Sequence, residues 1–184
     1  MTNNNFPIKK LTIMAALTAA ALIIFIIEAQ FPLPIAVPGA KLGLSNVITL
    51  FALFYSRRAS GETAVKLNNI DALMILIVRI ILGAMFTGSA LSLALSFGGG
   101  MVGFLAQVLS KKIVSDKQIW VCGAVGGVFH NVGQIFTAML ITDTPAIITY
   151  LPVLVIIGVL SGVITGLIAQ TALSRITADT PFSK

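Results

Sequence analysis

Apolar runs long enough to cross a lipid bilayer recur along this whole chain, and that recurrence limits the fold more than any other feature. A bilayer core is about 30 Å thick and needs roughly 20 apolar residues per helix. The 184 residues are 57% hydrophobic and 10% charged, which is far from the balance of a soluble domain. The first run, Leu11 to Ala29, is longer than the apolar core of a signal peptide. We therefore predict an all-α integral membrane protein with a single transmembrane domain over residues 1–184.

Six segments are predicted to form the helices of this domain. The second, Leu42 to Tyr55, is short, so it is expected to be a short or tilted helix, or a partly re-entrant one. The Gly98-Gly99-Gly100 triplet interrupts the fourth segment, which still qualifies by length. The predicted helices cover approximately residues 11–29, 42–56, 68–87, 88–109, 119–141 and 146–173.

The basic residues favour one side of the membrane. If six helices alternate in direction, ten of the 12 lysines and arginines lie on one side, Lys41 lies on the other and Arg79 lies within a span. Cytoplasmic loops of membrane proteins are enriched in Lys and Arg. We therefore predict a multi-pass protein of a bacterial cytoplasmic membrane, with both termini in the cytoplasm. The proline-rich segment Phe31 to Ala40 then faces outward, where we expect an ordered loop that acts as a lid.

Strongly polar side chains fall inside the predicted spans or at their outer ends. Such groups are costly at membrane depth, so they usually face a cavity or a partner rather than lipid. His130 and Gln134 are four residues apart, and Gly127 and Asn131 lie on the same helical face. The candidate solute-binding residues are Lys41, Ser45, Asn46, Arg79, His130, Asn131 and Gln134. With Glu28 at the same outer level, they predict a cavity that opens outward and takes an anionic or acceptor-rich ligand.

Each candidate also has a structural interpretation. Arg79 could form an ion pair with Glu28 or Asp71, His130 could be a hydrogen-bonded residue of the core, and Lys41 could extend toward the membrane surface. The three carboxamides could join neighbouring helices through hydrogen bonds. These carboxamides belong to Asn46, Asn131 and Gln134. The residues alone leave these alternatives open.

Patterns typical of enzymes are missing from the sequence. The six acidic residues are spread singly along the chain, whereas a prenyl diphosphate synthase would need aspartate-rich magnesium sites. The chain has no P-loop pattern. Its one cysteine, Cys122, lies in an apolar run and can build neither a disulfide framework nor a cysteine metal site. We therefore predict no enzyme activity, no metal and no cofactor. We also predict no nucleic-acid partner, because the position of the basic residues relative to the spans accounts for the net charge of +6.

Small residues four apart recur in four of the spans. They let two helix backbones approach closely in lipid. The glycine rows of the last two spans, which include Gly123 with Gly127 and Gly158 with Gly162, are expected to pack inside this chain. The alanines of the first span could instead offer a smooth face to a partner protein. This face consists of Ala15, Ala16, Ala19 and Ala20.

Three separated motifs resemble those of a known family. They are "VPGAKLGLSNVITLF" (Val37 to Phe51), "RIILGAMFTGS" with "LSLALSFGGGMVG" (Arg79 to Gly103) and "FHNVGQI" (Phe129 to Ile135). They are similar to the Gx transporter family, whose members are often labelled heptaprenyl diphosphate synthase component I, and the likeness runs over roughly residues 10–173. That family is grouped with the substrate-binding S components of energy-coupling factor transporters. The resemblance implies a six-helix bundle, an outward ligand pocket, and a coupling membrane subunit that contacts the alanines of the first helix.

The sequence therefore favours a membrane-embedded binding or transport protein for a small, anionic or amphipathic solute. Its expected partners are the solute, membrane lipid, and either a coupling subunit with ATPases or electron-transfer membrane proteins. The alternative is a non-transporting scaffold that helps assemble a flavin-linked, quinone-linked or isoprenoid-quinone complex. In that case the polar stripe would only join helices, and the alanine face would be the docking surface.

Overall fold

The structure is a computed structural model that describes residues 5–30, 41–58 and 65–178, and all regular elements within these ranges are helical. Five of the helices are long and apolar enough to cross a membrane, and α2 is shorter. The prediction of an all-α membrane protein is therefore confirmed. The predicted lid, Phe31 to Ala40, lies outside the described residues. The helices are α1 (Asn5–Ala29), α2 (Asn46–Arg58), α3 (Asn69–Thr87), α4 (Ala90–Ser110), α5 (Ile119–Thr142) and α6 (Leu151–Ala178), with a short 3-10 helix, Pro145–Tyr150, directly before α6.

The short helix α2 lies at the centre of the bundle and contacts all five long helices. Its side chains Leu50, Leu53 and Phe54 are fully buried against the surrounding helices. Because protein rather than lipid surrounds α2, the non-helical backbone at residues 41–45 can lie inside the bundle, where other protein groups satisfy its hydrogen bonds. The central position of α2 thus brings an irregular polar turn next to the other helices.

The start of α2 differs from the prediction. The helix begins at Asn46, four residues after the predicted start at Leu42. Gly43 adopts a φ of +78°. This left-handed conformation is incompatible with a regular α-helix and strongly favours glycine. Residues 41–45 instead form a turn, in which the Asn46 N–H donates to the Gly43 carbonyl oxygen over 3.0 Å.

Helices α3 and α4 form a tight antiparallel connection of two residues. Gly88 ends α3 in the left-handed conformation, and its N–H donates to the Ala84 carbonyl oxygen over 2.9 Å. Ser89 then caps α4, because its hydroxyl oxygen accepts a hydrogen bond from the Ser92 N–H over 3.1 Å. This connection sets the polar residues of α4 beside those of α3 and α5.

The glycine rows of α5 and α6 pack against each other, which confirms their predicted role inside this chain. A Cβ atom added at Gly127 would lie 2.2 Å from the Gly158 carbonyl oxygen, and one added at Gly123 would lie 2.3 Å from the Gly162 carbonyl oxygen. Both distances are too short for any real side chain. The two backbones therefore touch directly, as small residues four apart allow in membrane helices.

Candidate functional site

Glu28, at the end of α1, holds the turn that precedes α2. Its Oε1 accepts a hydrogen bond from the Gly43 backbone N–H over 2.6 Å, and the N–H of Ser45 also faces this carboxylate. Gly43 in turn lies against α5, since an added Cβ would be 2.9 Å from Asn46 Nδ2 and 3.0 Å from His130 Cδ2. The carboxylate therefore fixes the turn at the point where it meets Asn46 and His130.

A chain of hydrogen bonds joins α3, α2 and α5. An Nη group of Arg79 donates to Asn46 Oδ1 over 3.1 Å, Asn46 Nδ2 lies 3.1 Å from His130 Nδ1, and Gln134 Nε2 lies 2.9 Å from His130 Nε2. Three side chains of this hydrogen-bonded series are almost fully buried. They are Arg79, His130 and Gln134.

These hydrogen bonds determine which tautomer the neutral imidazole of His130 adopts. The Asn46 oxygen is occupied by Arg79, so the Asn46 amide group must face the ring, and His130 Nδ1 must accept its hydrogen. A neutral ring then carries its proton on Nε2, and the backbone carbonyl of Gly99 is an acceptor for the ring. The Gln134 carboxamide can accept from Nε2–H only with its oxygen turned toward the ring, which would remove the acceptor of the Lys41 backbone N–H. The guanidinium of α3 thus determines which ring nitrogen on α5 can donate.

Lys41 brings a second cation to the same region. Its Nζ donates to Ser92 Oγ over 2.8 Å and lies 3.5 Å from the centroid of the Phe25 ring, while its backbone N–H points to Gln134 Oε1 over 3.4 Å. Burial lowers the pKa of Lys41 to about 8, with the Glu28 carboxylate opposing this shift and the Arg79 charge adding to it. The ammonium group is therefore charged at neutral pH but titrates close to it.

The structure brings together five of the seven predicted site residues. Ser45 adjoins them through its backbone, and its side chain is buried. Asn131 lies apart, because its Nδ2 donates to the Leu154 carbonyl oxygen of α6 over 2.6 Å. We refer to the convergent group and the carboxylate beside it as the polar cluster. Its members are Glu28, Lys41, Asn46, Arg79, His130 and Gln134.

Three residues near the cluster were not among the predicted ligand-binding residues. Glu28 was predicted at the same level as these residues, but only as a neighbouring carboxylate. Phe25 lies one helical turn before Glu28 on the same face of α1, and its ring contacts Lys41 and lies 5.7 Å from Arg79 Cζ. Ser92 had a weak signal, since Ser92 and Ser96 are four apart in an apolar helix and both are buried.

The alternative pairing of Arg79 with Asp71 does not occur. Asp71 instead forms an ion pair with Lys10 of α1, in which Nζ and Oδ2 are 2.8 Å apart. Glu28 is close enough to Arg79 for electrostatic attraction. Among the described residues, however, Arg79 Nε and Glu28 Oε2 are both buried and have no hydrogen-bond partner. The two opposite charges thus leave one donor and one acceptor unused.

The alanine face of α1 is largely open. Ala15, Ala16 and Ala19 are exposed, and Ala20 is half-buried. Ala15 and Ala19 line an apolar groove of about 420 Å³ between α1 and α3, to which Met74 and Val78 also contribute. The face is therefore available for contact with lipid or with another helix.

Residues 17–172 match the family model described as heptaprenyl diphosphate synthase component I. No curated protein and no solved structure matches the chain. The match covers α2 to α5 entirely, and it includes every residue of the polar cluster. The resemblance seen in the three sequence motifs is thereby confirmed at the level of the family.

Proposed function

This chain belongs to the heptaprenyl diphosphate synthase component I family, and from that premise we propose that it is a membrane-embedded binding protein for a small anionic or amphipathic solute. The observation that carries the proposal is the polar cluster. Its side chains come from four helices and the turn before α2, and they include two cations and one carboxylate. Grouping such residues at membrane depth is costly, which favours a functional role over a purely structural one.

Each residue of the cluster has a role in this proposal. Lys41 and Arg79 neutralise the charge of the solute, and the carboxamides of Asn46 and Gln134 set its orientation. His130 donates from Nε2 or accepts, according to its protonation. Glu28 keeps the turn at residues 41–45 in place through the Gly43 N–H. Asn131 is not included, because its side chain lies apart from the cluster and bonds to α6.

We further propose that the protein acts like the S component of an energy-coupling factor transporter. A coupling membrane subunit would dock on the alanine face of α1, and separate ATPases would supply the energy. The proposed location is the cytoplasmic membrane with both termini in the cytoplasm, which rests on the distribution of Lys and Arg. The family description names a component of a synthase, and we propose that this component binds its ligand without catalysing a reaction.

Ligand retention tests this function. The protein is purified in mild detergent, and bound small molecules are identified by mass spectrometry in the native chain and in Arg79→Ala and His130→Ala. Lys112→Ala removes an exposed cation far from the cluster in sequence and serves as the control. We expect a solute that the native chain and the control retain and that both cluster variants lose.

The rival function is a membrane scaffold, and the exposed alanine face is the observation that favours it. A scaffold would retain no solute in any of the four proteins. Size-exclusion chromatography and thermal unfolding show whether the cluster variants keep their fold. If folded Arg79→Ala retains the same solute as the native chain, the binding function proposed for the polar cluster is wrong.

A further inference from the structure

The polar cluster leaves a specific set of hydrogen-bonding groups unused. Arg79 Nε–H is a buried donor without a partner among the described residues, and Glu28 Oε2 is a buried acceptor without one. Arg79 is 2% exposed and Glu28 is 5% exposed, so neither atom is satisfied by bulk water. Leaving such groups unpaired costs free energy in a buried setting. A ligand that pairs both atoms would recover that cost.

The side chains that carry these two atoms bind the same short piece of chain. Glu28 binds the Gly43 N–H, Arg79 binds Asn46, and Gly43 and Asn46 belong to the same turn. Lys41 begins this turn, and of its three Nζ–H donors one is used by Ser92. Among the described residues, one unused guanidinium donor and one unused carboxylate oxygen therefore belong to side chains that bind this turn, and the Lys41 ammonium group lies at its start.

The charges of the cluster set the charge of the ligand. With Lys41 and Arg79 protonated and Glu28 ionised, the cluster carries two positive charges and one negative charge. A ligand with one negative charge leaves the buried site neutral, which is the state that low-dielectric surroundings favour. A ligand with acceptors alone would place an oxygen next to Glu28 Oε2, where like charges repel.

We propose that the polar cluster recognises a monoanionic group that carries its own hydrogen-bond donor beside the charge. The acceptor oxygens bind Arg79 and Lys41, and the ligand's O–H or N–H donates to Glu28 Oε2. A hydrogen phosphate monoester and an α-hydroxy carboxylate both have this chemistry. This inference rests on the proposed function, because it specifies the solute that the same cluster would take.

Two matched pairs of aromatic anions test the inference on the full chain in lipid nanodiscs. Mandelate carries an α-hydroxyl donor that phenylacetate lacks, and this pair is compared at neutral pH. Phenyl phosphate carries a P–O–H donor that phenyl sulfate lacks, and this pair is compared near pH 6, where about half of a phosphate monoester is monoanionic. Dissociation constants are measured by isothermal titration calorimetry.

We expect the donor-bearing member of at least one pair to bind about tenfold more tightly or better, since a hydrogen bond to a charged group is among the strong ones. The pair that shows the preference identifies the source as a phosphate or a carboxylate. Glu28→Gln keeps an oxygen for Gly43 but replaces the free acceptor by an amide donor. The two members of that pair should therefore bind this variant about equally, with a preference of about onefold. Asp143→Asn makes the same chemical change at an exposed site and should leave it intact.

Other outcomes separate the two proposals. Equal binding within each pair by the native chain would overturn this inference while leaving an anion site in place. An unchanged preference in Glu28→Gln would overturn it as well, because another group would then accept the ligand's donor. If the native chain binds none of the four anions, this inference fails, and ligand retention by Arg79→Ala then decides whether the proposed function fails with it.

Discussion

Lys41 is the cation of the polar cluster whose charge depends on pH near neutrality. Burial lowers its pKa to about 8, and the half-buried ammonium lies over the Phe25 ring, which attracts it only while it is charged. Arg79 remains charged at any pH at which the protein is studied. The pH dependence of anion binding above neutrality should therefore reside in Lys41.

We expect the affinity for an anionic ligand to fall by about tenfold between pH 7 and pH 9, because a group with a pKa near 8 changes from mostly charged to mostly neutral over that range. The affinity falls as pH rises because the anion binds the protonated form of Lys41, and that form is lost as pH rises. The lowered pKa places this loss between pH 7 and pH 9. Lys41→Arg should flatten the profile. Calorimetric titration with phenylacetate measures it.

Lys112→Arg is the matched control for this prediction, because Lys112 is exposed and its substitution should preserve the tenfold fall. If Lys41→Arg shows the same fall as the native chain, another group controls the binding, and Lys41 is not the titrating cation.

At the scale of helices, α5 and α6 depend on direct backbone contact. Gly127→Ala would place a Cβ atom 2.2 Å from the Gly158 carbonyl oxygen, so the helices must separate to accommodate it. We expect a loss of about 1–3 kcal/mol in the free energy of unfolding, as is usual for overpacking. Denaturation in mixed detergent micelles, followed by circular dichroism, measures this loss.

Val159→Ile adds a carbon to the same helix pair on the partly exposed side of α6. It should change the free energy of unfolding by only a few tenths of a kcal/mol. Equal effects of the two substitutions would show that the glycine contact does not limit the approach of α5 and α6.

Helix α1 offers a test of its own, because its alanine face is exposed while its Phe25 and Glu28 reach the cluster. Ala19→Leu adds bulk to the groove between α1 and α3. We expect it to abolish co-purification of a membrane partner from native membranes and to leave anion binding within about twofold. Leu140→Ala changes a residue that is 84% exposed on α5 and should affect neither property. Retained co-purification in Ala19→Leu would remove the alanine face as the docking surface.

At the scale of the whole molecule, the orientation in the membrane can be tested with two exposed residues at opposite ends of α5. Lys112 precedes this helix and Thr144 follows it. With the predicted orientation, Thr144→Cys should react with a membrane-impermeant maleimide in intact cells. Lys112→Cys should react only after the cells are opened. Mass spectrometry of the labelled protein measures both.

The native Cys122 provides the background control for this experiment, because it is fully buried and should remain unlabelled in both preparations. The reverse labelling pattern would place Lys41 and the polar cluster toward the cytoplasm. It would also contradict the predicted location of the termini.

From the sequence alone, the class of the protein and most members of the polar cluster could be predicted. Apolar runs of bilayer length leave a helical bundle as the available fold, because backbone groups in lipid must bond within their own segment. Charged residues within such runs, such as Arg79, can also be identified, because the cost of a charge at membrane depth is large whichever helices surround it. Glycines four apart likewise indicated where α5 and α6 would touch.

Which polar groups meet could be seen only once the helices were packed together. His130 and Asn131 are adjacent in sequence, yet the turn of about 100° between neighbouring helical residues directs one toward the turn at residues 41–45 and the other toward α6. Phe25 and Ser92 lie beside the cluster because α1 and α4 pack next to Lys41. Contacts of this kind depend on how the helices pack and rotate relative to one another, and a pattern within one helix does not specify either.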